Sequence, residues 1–553
     1  MARQSKKRAT GKRKPTSGSV GAFRTLAEAH VELTFERFPT SATMVGRHEF
    51  DAELQVPSPK LYRAHEKQLR STLEAVLALP EHDFSGDDWL DRRAFVADLR
   101  SELWALERQA HRRNPDALAS GAIGAIHELV VRHADDLSSV ADAVVSRLAK
   151  LPKFLDGAME LCDRPVPVWT QMALATSAGA PGFLDALAAP LVATGKNSQK
   201  KIERLLTEAR LAFRSFSRHV ERSKSGKANG FCVGEERFEA LIRERLGWDL
   251  SAREAEAYGR VLVERLEAEL QAEAKKHGSG KKARDLLEKA AQGWRLSQDD
   301  LLGEYRHTTQ RVREAFRKAD VVSFPSGDVL SVKPVPDFLR HQFPTAAYSA
   351  PGAYDPDQTG IFWVNDLSLV RDTEAEKLAE IRQHFGLALT SAHEAYPGHH
   401  LQFCTANRHP SKLRRLFAHA VFYEGWTLWV EQMSIDLGIV DDPFARLTML
   451  HDALWRAHRI LIDCGLHTGR MSYDDAVRHL MKNVGFTRAR AQGDVNWYTT
   501  MPTVPMSYLI GKMELLRLKK RKVDNGGMSL KAFNDWALSF GTIPWRWMEQ
   551  SGL

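Results

Sequence analysis

The stretch DWLDRRAFVADLRSELWALERQA (88–110) sets Trp89, Val96, Leu99, Leu103 and Leu106 at intervals of three, four and seven residues. That spacing returns to one side of a 3.6-residue helix and never alternates as a strand would. The same pattern fills LYRAHEKQLRSTLEAVLAL (61–79), RFEALIRERL (237–246) and EAEAYGRVLVERLEAELQAEAKK (254–276). The chain is therefore expected to be mainly α. Helix-stopping residues cluster at NPDA (114–117), DRPVP (163–167), SKSGKANGFCVG (223–234) and HGSGKK (277–282). No repeat of fixed period is evident.

Working outward, VVSFPSGDVLSVKPVPDF (321–338) marks a soft boundary between a helical N-terminal region, 21–320, and a C-terminal region, 321–553, richer in His, Trp and Tyr clusters. Both halves are expected to build one continuous fold. A single sheet element is expected in AAYSAPGAYDPDQTGIFWVN (346–365), where turn residues flank Tyr348 and Ile361–Val364 in a small hairpin or edge.

Seven basic residues and no acidic ones occupy the first fifteen positions, against a net charge of +8 for all 553 residues. The rest of the chain is nearly neutral, so residues 1–20 read as a solvated, disordered basic tail and no specific nucleic-acid partner is expected. No run approaches the roughly 18 apolar residues of a membrane span, and the N-terminus lacks the apolar centre of a secretory signal. Cys162, Cys232, Cys404 and Cys464 are scattered and form no CxxC pair. A cytoplasmic protein with reduced thiols is the expectation. The sequence leaves the oligomeric state open.

The chemistry concentrates in SAHEAYPGHHLQF (391–403), at the end of what reads as one helix, TEAEKLAEIRQHFGLALTSAHEAY (373–396). In the zinc signature that begins His-Glu, a second His at i+4 lies about 40° around the helix from the first. Here Pro397 holds that position. His399, at i+6, sits roughly 240° around, and His400, at i+7, some 10 Å along. Pro397 and Gly398 permit a bulge or kink that returns one of the two to His393. The next helix, LRRLFAHAVFYEGWTLWVEQMSIDLG (413–438), puts Glu424 and Glu431 seven apart in apolar surroundings. Carboxylates placed so need a partner, either Lys or Arg or a shared metal. In the metal reading Glu424 is the third ligand and Glu431 orients a ligand His. Two His and one Glu with an open fourth position make a catalytic zinc site.

HEAYPGHHLQ followed by EGWTLWVEQM resembles domain-of-unknown-function family 885, grouped with gluzincin-like HExxH zinc metallopeptidases. Further blocks in the expected order are FPTSATMVGRHEFD (38–51), VGEERFEALIRERLGWDLS (233–251), FWVN (362–365), RAHRILIDCGLHTGRMSYDDA (456–476) and YTTMPTVPMSYLIGK (498–512). Departures fall at Trp497-Tyr498 and Pro505, where members commonly carry Arg-Tyr and Gln. The resemblance implies a large helical fold with a deep central cleft and Zn2+. It also implies His393, His399 and Glu424 as ligands, with His400 the second choice, and Glu394 as general base. Tyr508 is the candidate oxyanion donor by analogy with related peptidases. Asn365, Arg456, Arg459, His467 and Tyr498 are the expected substrate contacts, with Asp463 orienting one of Arg456, Arg459 and His467.

These features imply a zinc metallopeptidase acting on short peptides, oligopeptidase or carboxypeptidase-like. Two alternatives stand beside it: a zinc hydrolase of a non-peptide amide such as an N-acyl amino acid, and a non-catalytic helical interaction protein with a vestigial metal site. Retention of Glu394 disfavours the last, because a structural site has no use for a general base.

Overall fold

Helix starts follow from the capping residues. Ser251 accepts from the Glu254 amide while the Glu254 carboxylate accepts from the Ser251 amide, opening the helix Ala252–Lys276. Its buried stripe, Ala255, Gly259, Leu262, Leu266 and Leu270, packs against the helix Ala445–His467. The quoted stretch 88–110 lies in the helix Gly86–Glu107 and the short turn Ala110–Arg113. The computed structural model describes residues 18–133, 136–278, 280–336, 340 and 345–552. Residues 1–17, most of the expected basic tail, lie outside the described residues, and the helix Ser19–Arg37 begins within its last two positions.

The protein is mainly α with one small sheet. Four helices, Pro115–Arg132, Ala141–Leu161, Pro167–Ala193 and Gln199–Arg222, enclose a core of their own around Ile126, Leu148, Leu155 and Phe213. The larger core runs from Phe23 through Leu262, Trp426 and Ile460 to Trp545, so the two sequence halves share one interior. Burial of apolar surface on that scale is what holds the helices in place.

The sheet has three strands, β1 (Asp328–Pro334), β2 (Ala346–Ser349) and β3 (Gln358–Val364). β2 and β3 form the expected antiparallel pair, with Tyr348 opposite Phe362. β1, which the sequence reading left inside a boundary segment, pairs parallel to β3. The strand carrying FWVN is therefore central, flanked on both sides. Pro334, which ends the strand, and Pro336 just beyond it hid β1 from pattern reading.

Two expected helices are shorter than the sequence implied. The segment 373–396 divides into Glu374–Arg382 and Leu387–Glu394 around Gly386, whose φ is +84°. In 413–438 the helix proper begins only at Ala420, after a 3-10 turn at Arg414–Leu416. His419 ends that approach, its Nδ1 standing 3.0 Å from the Thr542 carbonyl oxygen.

The helices Ala420–Asp436 and Val504–Lys519 cross where Gly425 meets Gly511. A Cβ on Gly425 would lie 2.4 Å from the Gly511 carbonyl carbon, and one on Gly511 would lie 2.0 Å from the Val421 carbonyl oxygen. Only glycine permits this approach, and it brings Glu424 and Tyr508 side by side.

Candidate metal centre

The helix Leu387–Glu394 ends on His393 and Glu394, and a new helix, His399–Ala406, starts five residues after Glu394. Between them the chain reverses through Ala395, a cis Tyr396–Pro397 peptide and Gly398. The elbow is tight: a Cβ on Gly398 would stand 1.8 Å from the His393 carbonyl oxygen. The Pro397 carbonyl accepts from the Trp426 indole at 2.8 Å, which fastens the elbow to the helix bearing Glu424. The expected bend is thus a complete break into two helices rather than a bulge in one.

This geometry delivers His399 to His393. The ring centroids lie 5.0 Å apart with planes at 85°, and each Nε2 is 3.7 Å from Glu424 Oε2. Ligand atoms of the three residues all fall within 4.8 Å of one another, and all three side chains are buried. His393 Nδ1 is 2.7 Å from Glu431 Oε1. With that nitrogen as the N–H donor, Nε2 presents its lone pair to the cluster. Glu424 Oε2 is buried without a hydrogen-bond partner among the described residues. Buried, unpaired carboxylate oxygen is costly unless something cationic meets it. A donor set of two imidazoles and one such carboxylate fits zinc.

The electrostatics agree with the geometry. Burial pushes the Glu424 carboxyl up to about 7, against the opposing pull of His393 and the facing Tyr508 hydroxyl. Burial, with His393 adding to it, drives His399 well below the ordinary imidazole range and keeps it a neutral ligand. For His393, burial is outweighed by Glu431, Glu394 and Glu424, so its pKa rises. Burial also raises Glu394, with Glu431 adding to the effect and His393 and Arg456 opposing it. Glu394, Tyr423, Arg456 and Tyr508 keep part of their surface accessible around the buried triad.

His400, the second choice, turns away. Its Nε2 is 3.5 Å from Asp328 Oδ2 and its Nδ1 2.9 Å from the Tyr348 hydroxyl. Asp328 also accepts from Tyr396 at 2.5 Å and pairs with Arg313 at 3.3 Å, so His400 belongs to a clasp between the elbow and β1. Sequence reasoning missed Asp328 and Tyr348, which reach the site from distant segments, and Trp426, whose indole meets an elbow 29 positions away from it.

The expected substrate contacts divide. Arg459 is buried, its Nε donating to the Tyr498 hydroxyl at 2.9 Å while Tyr498 donates to Asp494 at 3.1 Å. Its guanidinium lies over Trp455 at 4.0 Å and Tyr508 at 4.7 Å, and Nη1 has no partner among the described residues. Arg456 stacks on Trp455 and pairs with Asp452 at 3.3 Å. Tyr498 stands behind Arg459 as its support rather than beside the triad. His467 is a core residue, its Nε2 donating to the Tyr498 carbonyl and its ring stacked on Phe238. Of Arg456, Arg459 and His467, Asp463 approaches His467, at 3.6 Å, while its carboxylate accepts from the Thr503 and Met506 amides. Asn365 is fully buried and donates to the Arg340 carbonyl. Because β3 is paired along both edges, an extended substrate has no open edge on that strand.

No curated protein matches the chain. A solved structure from Shewanella oneidensis, a candidate lipoprotein of unknown function, superposes with a TM-score of 0.74 at 20% identity, covering 96% of this chain and 99% of that one. A candidate lipoprotein from Colwellia psychrerythraea gives 0.72 at 19% identity, covering 96% and 98%. Both likenesses concern the fold. The match that reaches further is to the bacterial proteins of unknown function DUF885, which spans residues 39–551, and the chain belongs to that family.

Proposed function

We propose that the chain is a zinc-dependent hydrolase that cleaves amide bonds of short peptides. The observation that carries the reading is the convergence of His393 Nε2, His399 Nε2 and the unpartnered Glu424 Oε2, with Glu394 next to the first ligand in sequence. Zinc held by these three would supply a Lewis acid and a bound water with a pKa near 7.

Each remaining step belongs to the protein's own groups. Glu394, raised by burial and partly accessible, takes the proton of the attacking water and returns it to the leaving amine. Tyr508 stays protonated, because burial and the facing Glu424 carboxylate push its hydroxyl well up, and it serves as donor to the developing oxyanion. Glu431 fixes the tautomer of His393. Nη1 of Arg459, without a partner among the described residues and with its guanidinium 4.7 Å from the Tyr508 ring, suits the terminal carboxylate of a substrate. An N-acyl amino acid carries the same carboxylate, so the non-peptide alternative shares this support. Four unpaired thiols favour a reducing compartment.

The test is metal analysis of the purified protein together with a chelator-controlled screen of peptides and N-acyl amino acids read by product mass. About one zinc per chain and hydrolysis that Glu394→Gln abolishes while retaining the metal are expected. Protein that arrives without metal and takes up no added zinc would overturn the reading.

A further inference from the structure

A cavity of ≈ 380 Å³ opens between the helices Ala252–Lys276, Ala445–His467 and Val504–Lys519. None of His393, His399, Glu424 or Glu431 lines it. Its volume is that of a small-ligand site. Much of its wall is apolar, built from Leu262, Leu266, Met449, Leu450, Leu509 and Met513. Lys512 lines the same space although the residue is only 4% exposed.

The cations around this cavity differ in one respect. Arg265 is paired with Glu269 at 2.7 Å, Lys276 with Glu273 at 2.7 Å, and Arg446 with Asp436 at 4.0 Å as well as with the shared Glu273 at 3.5 Å. Lys512 has neither a hydrogen bond nor a carboxylate within ion-pairing distance among the described residues. Glu431, Asp436 and Glu269 act on it only from further away, and burial pulls its amine down to about 8. A buried ammonium without a counter-ion is costly, and a carboxylate arriving from outside would offset that cost.

We propose that this cavity binds a small monocarboxylic acid with an apolar tail, of the medium-chain fatty acid class, its carboxylate seated on Lys512 Nζ. One unmatched positive charge calls for one negative charge, which selects a carboxylate over a phosphate dianion. The apolar walls take the tail. Glu431, the partner of His393, acts on Lys512 through its charge alone, from beyond ion-pairing distance. Binding here does not depend on the hydrolytic reading.

The experiment titrates the full chain with octanoate and with octan-1-ol by calorimetry, and maps the site with a diazirine-tagged octanoate followed by peptide mass analysis. Octanoate is expected to bind at least about tenfold more tightly than the alcohol. Lys512→Met should erase that preference, and Ala453→Trp, which fills the cavity, should remove both ligands. Photolabel should fall on Leu450, Met513 or their neighbours. No saturable octanoate binding, equal affinity for acid and alcohol, or labelling confined to other parts of the chain would each overturn the proposal. Because the acid–alcohol comparison and the labelling use the unaltered protein, a variant that fails to fold leaves the result decisive.

Discussion

His399 and His400, neighbours in sequence, face opposite sides of the elbow: His399 Nε2 lies 3.7 Å from Glu424 Oε2, and His400 Nε2 lies 3.5 Å from Asp328 Oδ2. Alanine at the two positions should therefore separate metal binding from stability. His399→Ala is expected to lose zinc. His400→Ala should keep its zinc and lose about 1–3 kcal/mol, because Tyr348 and Asp328 are left with an unfilled buried partner. Metal analysis beside denaturant unfolding checks both, and the opposite order of zinc loss would reverse the ligand assignment.

Glu431 touches His393 and not the shared ligand space. Replacing it by Gln keeps a hydrogen-bonding group but removes the charge behind the imidazole. Zinc affinity should fall by about 10- to 100-fold while the fold remains. Competition against a fluorescent chelator measures this, and an unchanged affinity would reduce Glu431 to a bystander.

Nη1 of Arg459, unpartnered among the described residues, makes a prediction about substrate ends. Arg459→Met should slow cleavage of peptides with a free C-terminal carboxylate by at least about tenfold, an effect of roughly 1.5–3 kcal/mol. Cleavage of the same peptides with an amidated C-terminus should change little. Equal losses on both substrates would mean that Arg459 acts only by supporting Tyr508 and Tyr498.

Asp463 has no access to solvent, and burial raises its carboxyl to about 8 despite amide donors at Thr503 and Met506. The folded protein thus holds a proton that the unfolded chain releases near 3.8. Its contribution is complete below that lower value and is lost as pH rises through about 8, since each step favours the state that binds fewer protons. Asp463→Asn should flatten the stability profile between pH 4 and 8 and make the variant the more stable protein at the alkaline end. Unfolding titrations at several pH values test it; parallel profiles for the two proteins would contradict a protonated Asp463.

The helical class was legible because its signal is local. Leu99 and Leu103, or Leu262 and Leu266, declare a face within one turn. The ligand candidates were legible for a related reason: His393, Glu394, Glu424 and Glu431 are residue types that a buried helix tolerates poorly without a purpose. What sequence could not decide was the hand of the elbow. That depends on Trp426 reaching back to the Pro397 carbonyl and on Asp328 of β1 holding His400 and Tyr396, contacts that span 29, 72 and 68 positions. Arg459 was legible as a charge on a helix, but its unsatisfied nitrogen is a property of the packed aromatic box around it.

The contact of Gly425 with Gly511 has a bearing on motion. Backbone rests on backbone there, with no side chain to give way, so the two helices have no room to shear past each other. Glu424 and Tyr508, each within three residues of that point, form a fixed jaw. On the proposed hydrolytic reading, any motion that admits a substrate must therefore fall on other elements, while Glu424 and Tyr508 keep their spacing.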